Sequence, residues 1–239
     1  MAAAQSSGLA ASAATLDLLR QWLSRMLTPQ AMQWLDAEIA RQCDQVDERS
    51  LGMTLGMIPR KIGRIDLSLS PGDGAAACVL RARWRPGLWS TDEAARVAIL
   101  LATYRSDDET FATRVDRLCV TGELTEHVAY LKGFAIFPGA EKLCARAREA
   151  VRSSATPIFQ AIACDNPYPF DHFDEAAWNQ MVVKCVFNGL SIETMVGLTE
   201  RRNPELVAML RDLVSERHAA GRPLPEPVHR YIEGTLTAQ

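Results

Sequence analysis

Apolar positions recur along this chain with helical spacing almost from end to end, and the breaks between runs are sharply marked. From Thr15 onward each run opens on a residue able to cap free amides and closes on Gly, Pro or a polar cluster. TLDLLRQWLSRML stops at Thr28-Pro29, and that pair starts PQAMQWLDAEIARQ as N-cap and first-turn proline. So tight a joint predicts two antiparallel helices. A third helix is expected from Asp47 to Ile58, ahead of Pro59. Inside it Gly52 and Gly56 each cost about 1 kcal/mol relative to alanine, and their spacing predicts close contact with another helix.

The region RKIGRIDLSLSPGDGAAACVLRARWRPGLWS alternates briefly at Ile65, Leu67 and Leu69, and is read as an extended loop with a short helix near Ala75 to Arg81. In TDEAARVAILLATYR only Arg96 and Thr103 interrupt a nearly all-round apolar surface, which predicts a helix at the centre of a domain. DDETFATRVDRLCVTG has a one-sided stripe, Phe111, Val115, Leu118 and Cys119, and predicts a surface helix. Further helices are expected at 124–136, 140–153 and 156–164, and NPELVAMLRDLVSERHAAG is bounded by Asn203, Pro204 and Gly221. The fold class is all-α, with about 11–13 helices in stacked antiparallel pairs, α-solenoid-like or as an irregular helical bundle. A tail over 1–14, disordered because it is mostly alanine and serine, precedes a single helical domain over 15–235.

Composition narrows the function classes. Of 239 residues 48% are hydrophobic and 23% charged, enough to bury a core, and 26 basic against 29 acidic side chains leave no basic excess for a phosphate backbone. The expectation is no nucleic-acid partner. No run of about 18 apolar residues could span a bilayer, and the opening lacks the cationic start of a secretory signal. The expected location is cytoplasmic. Cys43, Cys78, Cys119, Cys144, Cys164 and Cys185 stand 20 or more positions apart with no zinc spacing, so they read as free core thiols, with neither metal nor cofactor expected.

Candidate chemistry gathers in DNPYPFDHFDEAAWNQMVVKCVFNGL. Pro167 and Pro169 push Asn166 and Tyr168 toward extended backbone, predicting a stiff arm into a helix. Asp174 is the N-cap, with Phe173 and Trp178 placed as a hydrophobic staple. Trp178, Met181, Val182, Cys185 and Val186 share one face, while Gln180, Lys184 and Asn188 form the polar strip. Asn179 and Glu175 fall on the apolar side. An unpaired buried amide costs on the order of 1 to 3 kcal/mol, so Asn179 needs a partner: an internal bond tying the arm to the helix, or a ligand. His172, among aromatics and carboxylates, is a candidate general base or a loop cap. Arg60, Lys61 and Arg64, and Arg201-Arg202, are solvated charge or an anion site. Arg217 lies within the apolar stripe of its helix, either stabilising terminal carbonyls or facing an acidic ligand.

The run from NPYPFDHF through WNQM to NPEL, with IPRKIGR and WSTDEAARVAILL before it, resembles the EboA family over most of the chain from Leu51 to Pro225. Asn166, Pro167, Tyr168, Pro169, His172, Phe173, Trp178, Asn179, Gln180, Met181 and Lys184 match the family pattern, while SPGDGAAACVLRARW departs from it in a less polar helix start. The resemblance implies a bacterial helical protein of secondary metabolism, encoded beside a UbiA-like prenyltransferase and several hydrolase-, isomerase- and synthase-like proteins. In cyanobacteria such clusters are associated with moving a pigment precursor toward the periplasm. No catalytic role comes with it. Three functions are thus open. The chain is an accessory protein binding a small-molecule metabolite or a pathway enzyme, with Asn166, Tyr168, His172, Trp178, Asn179, Arg60, Arg64 and Arg217 as ligand residues, and peripheral association with a membrane prenyltransferase is compatible with this. Alternatively, it is an enzyme acting on a prenylated or sugar-like intermediate with His172 as base, or it is a structural scaffold.

Overall fold

A computed structural model describes the backbone of residues 2–237 and the side chains of residues 8–237. Among them are thirteen α-helices and no strand; the alternation at 65–69 yields one isolated antiparallel bridge, Asp66 to Ser90, flanked by amide bonds from Leu67 to Trp89 and from Thr91 to Ile65. The chain gathers into two compact units, Met1–Ala147 and Arg148–Gln239.

The first unit is built around α5 (Thr91–Leu101), every residue of which is buried. Packed on it are α1 (Ala2–Met26), α2 (Pro29–Asp44), α3 (Glu48–Lys61) and α7 (Leu124–Gly133). Leu19, Trp22 and Leu23 come from α1, Leu35 and Ile39 from α2, and Leu51, Leu55 and Ile58 from α3. The arrangement of this unit is an irregular bundle about one central rod. Of the tail expected over 1–14, residue 1 and the side chains of 2–7 lie outside the described residues; the backbone from Ala2 belongs to α1, in keeping with alanine's helix propensity.

Burying α5 forces its polar residues to find partners inside. Arg96 Nη1 donates to Asp92 Oδ2 at 2.7 Å, with both side chains almost wholly excluded from water. Glu93 Oε2 accepts from the Ser90 amide at 2.9 Å and from Lys132 Nζ at 2.7 Å. Asp92 and Glu93 are thus as much part of the core as Ile99. Helical spacing places this buried helix, with Arg96 and Thr103 as its interruptions, but carries no sign that the acids at its start are buried too.

Two boundaries and one contact differ from expectation. α3 runs through Pro59 to Lys61, because a last-turn proline removes only its own donor while the Ile62 amide still reaches the Ile58 carbonyl at 2.8 Å. α4 (Pro71–Leu80) starts earlier than expected: Ser70 and Asp73 form a reciprocal capping box, and Arg25, 2.9 Å from Asp73, holds that carboxyl down to about 2. Gly52 and Gly56 do not mark a helix contact. Both are exposed, and a Cβ added at either would meet nothing within 4 Å.

In the second unit α8 (Cys144–Arg152, shared across the boundary), α9 (Thr156–Ala163), α10 (Tyr168–His172), α11 (Glu175–Phe187), α12 (Pro204–Ala219) and α13 (Glu226–Glu233) follow in order. α6 (Asp108–Thr121) precedes them in the first unit, its Phe111, Val115 and Cys119 buried as its stripe predicts. The expected 140–153 helix is a 3-10 turn, Ala140–Leu143, leading into α8. α9 opens on Ala155 without a side-chain cap, and Thr156 is already helical. The cysteines are not all core: Cys43 and Cys78 are exposed, Cys144 and Cys164 half-buried, and none of the six is in a disulfide.

Two stability outcomes follow. Asp92→Ala strands a buried guanidinium and should cost about 3 to 5 kcal/mol in urea unfolding of the first unit; a loss below about 1 kcal/mol would mean water reaches Arg96. Gly52→Ala and Gly56→Ala should each raise stability by roughly 0.5 to 1 kcal/mol, and a loss in the same measurement would show that bare backbone is required there.

Candidate functional site

The Asn166 to Asn179 segment folds tightly upon itself. Asn166 Oδ1 accepts from the Tyr168 amide at 3.0 Å, and its Nδ2 donates to the Ala161 carbonyl at 2.9 Å. That local bond starts a helical turn, so Pro167 has φ −74° and ψ −8° and the expected extended arm is instead the short helix α10. Proline suits a first turn, whose amides lack helical partners in any case. Tyr168 is fully buried, with the His172 ring stacked on it at 4.5 Å and the Phe173 ring edge-on at 6.4 Å. Phe170 fits over Gly197, at φ +79°, where a Cβ would lie only 2.0 Å from the ring.

The polar residues of α11 divide differently from their helical register. Asn179 and Asn203 exchange amide bonds, Nδ2 to Oδ1 at 3.2 Å and back at 2.9 Å, while Asn203 Oδ1 also caps α12 by accepting from Leu206. The buried amide therefore ties α11 to the start of α12, and not to the arm. Glu175 is exposed, since a first-turn residue can swing outward. Lys184, expected on the solvated strip, donates to the carbonyls of Val151 and Ser153 at 2.6 and 2.8 Å, and burial lowers its pKa.

Three arginines of this unit act similarly. Arg201 donates to the carbonyls of Pro169 and Phe170 at 3.0 and 3.2 Å and lies 4.7 Å from the Trp178 ring centre. Arg202 donates to the carbonyls of Tyr231 and Ile232. Arg217 donates to the Phe187 carbonyl at 3.2 Å and covers that ring at 4.5 Å, closing the last turn of α11 and not of its own helix. Unforeseen from their spacing, Cys164 and Cys185 meet: the neighbouring thiol and burial push Cys185 up, and its bond from Cys185 draws Cys164 down.

Open space of ligand size lies in the first unit, between α2 and α3. Helical spacing sends Leu35, Ile39 and Gln42 of α2, and Leu51, Leu55 and Ile58 of α3, inward. Residues flanking those buried stripes on both helices border a surface groove. At one end a cleft of about 540 Å³ is lined by Thr28, Gln30, Ala31, Gln33, Trp34, Ala37, Arg60 and Lys61. Trp34 also lines an adjoining space of about 280 Å³, with Met53 and Met57 from α3 and with the hydrogen-bonded group of Glu38, Arg41, Ser50 and Thr54. Pairing early α2 with late α3, and Arg41 with Ser50, means that α2 and α3 run antiparallel.

The charge at the first end is one-sided. No carboxylate lines the larger cleft, and among the described residues neither Arg60 nor Lys61 has an ion-pair partner. Both lie beside the start of the 16-residue α2, where the helix dipole favours an anion although Thr28 already caps the first-turn amides. Arg64 is exposed and outside the lining. A separate cleft of about 490 Å³ has the opposite character, with Asp107 and Asp108 beside Tyr104, whose hydroxyl burial and Asp108 push up to about 12.

A model of the family described as metabolite traffic protein EboA matches residues 15–233. The chain belongs to the EboA family. No curated protein and no solved structure matches it. The EboA match spans both the α2–α3 groove and the α10–α12 segment. Among the described residues no group of three or more His, Cys, Asp or Glu is placed to hold a metal ion, and no helix is long and apolar enough to cross a membrane.

The Asn179–Asn203 exchange is measurable. Asn179→Ala should cost on the order of 1 to 3 kcal/mol, and a double-mutant cycle with Asn203→Ala should show coupling of about 0.5 kcal/mol or more. Additive losses would mean the two amides are independently satisfied.

Proposed function

We propose that this EboA-family chain is an accessory protein that binds a small-molecule metabolite precursor in the groove between α2 and α3, serving its transfer or its processing by a partner enzyme. The observation that carries the reading is the pair of adjoining spaces on either side of Trp34, open to solvent and large enough for a small molecule. The family's description as a metabolite traffic protein supports the same reading. Arg60 keeps the ligand role expected of it, joined by Lys61 and Trp34. A carrier needs a site from which cargo can leave unaltered, and a surface groove meets that need better than an enclosed chamber.

The enzymatic alternative draws less support. Of the arginines Arg60, Arg64 and Arg201 that it could use to hold an anionic group, Arg201 already serves the carbonyls of Pro169 and Phe170, and the His172 ring packs on Tyr168.

Hydrogen–deuterium exchange tests the proposal, using the full chain with the small-molecule fraction of cells that produce it. Protection should appear over residues 28–61 and be absent over 166–188. Protection confined to 166–188 would move the site to the α10–α11 segment, and no protection anywhere would overturn metabolite binding itself.

A further inference from the structure

The clefts of the first unit differ in charge, and this narrows what each could hold. At the α2–α3 groove, Arg60 and Lys61 stand at the N-terminus of α2 with no carboxylate in the lining. Trp34 forms the wall common to both spaces. Beyond it lie Met53, 60% exposed, and Met57, 36% exposed, two large apolar side chains left facing water. At the far end Glu38 and Arg41 neutralise each other. The groove is therefore cationic at one end, aromatic in the middle, apolar on its α3 side beyond Trp34 and without net charge at the far end.

Each part has a separate structural explanation. Basic residues in a last helical turn offset the dipole of α3, and single exposed methionines are ordinary on a protein surface. Those explanations do not require the parts to lie in sequence along one continuous groove. Successive exposed positions of α3 place them there: 53 and 57 carry the methionines, and 61, four residues further, carries the lysine. The neighbouring row 52, 56 and 60 holds two glycines and then Arg60, so the backbone beside the methionines is bare up to the cationic end.

We propose that the groove selects amphiphilic anions: a carboxylate or phosphate bound by Arg60 and Lys61, with an aromatic or hydrocarbon body lying across Trp34 toward Met53 and Met57. This rests on the reading that the α2–α3 groove is the metabolite site, and adds the chemical class of the ligand. Guanidinium and ammonium groups supply charge-assisted bonds to the anionic head. The Trp34 ring face and the polarisable thioethers accept a flat or flexible apolar body without demanding one shape. The acidic cleft at Asp107 and Asp108 repels the same molecules, so a single site is expected.

The test compares probes of one chain length on the full-length protein, by competition against the aromatic sulfonate 8-anilinonaphthalene-1-sulfonate. Dodecyl phosphate and dodecanoate should displace it, and dodecanol and dodecyltrimethylammonium should bind roughly tenfold more weakly or worse. The ratio of phosphate to carboxylate affinity identifies the preferred head group. Arg60→Gln with Lys61→Gln should weaken both anions by about tenfold or more while leaving dodecanol unchanged, and Trp34→Ala should weaken every probe. The thermal melting temperature of each variant shows that it is folded. Dodecanol binding as tightly as dodecyl phosphate, or full anion affinity in the double variant, would overturn the proposed class. If cell-derived small molecules still protect residues 28–61 while none of the anions competes with them, the class is wrong and the groove reading stands. Without such protection the groove reading itself falls.

Discussion

A helix from which water is excluded must satisfy its own charges, and that constraint organises the first unit of this protein. α5 carries Asp92, Glu93 and Arg96 into the interior, and the ion pair within the helix together with the Lys132 bond makes this burial tolerable. Losing one partner is far more costly than never having had the pair, so the register of α5 against α7 is held by chemistry as well as by packing. α1, α2 and α3 complete the enclosure with leucine, isoleucine and tryptophan. Because α2 and α3 devote one stripe each to α5, their other stripes are released from packing duty. The groove between them follows from that division of labour.

The second unit uses its cations differently. Lys184, Arg201, Arg202 and Arg217 all turn back to backbone carbonyls, several over an aromatic ring. Helix ends leave carbonyls without partners, and a unit made of short helices has many ends. Long basic side chains close them from a distance that local capping residues cannot reach. In contrast, among the described residues Arg60 and Lys61 make no such bond, which is why their position beside a groove carries meaning.

The all-α class, the buried stripe of α11, the caps Thr28, Asp174 and Asn203 and the centrality of α5 were legible in the sequence because each follows from spacing within one helix. What escaped depended on distant partners. The exchange between Asn179 and Asn203, the Cys164–Cys185 encounter and the carbonyl bonds of Lys184 and Arg217 join residues 21 to 33 positions apart. Helical periodicity has no information about them. Gly52 and Gly56 misled for a related reason: glycine spacing looks the same whether the bare face meets a neighbour or solvent. Trp34 gave no signal because an aromatic on an amphipathic helix is ordinarily core, and only the flanking residues of α3 make it a wall.

The placement of the five tryptophans has an optical consequence. Trp22, Trp84, Trp89 and Trp178 are buried, the first three in a chain of rings 5.6 and 5.7 Å apart, whereas Trp34 is partly open to solvent. Excitation at the red edge of the indole band favours the most solvated ring, and a water-soluble quencher reaches that ring first. The emission so selected comes from the wall of the groove, with the other four rings as a constant background. A molecule entering the proposed groove site would thus register in the protein's own fluorescence, without a label and without altering a residue.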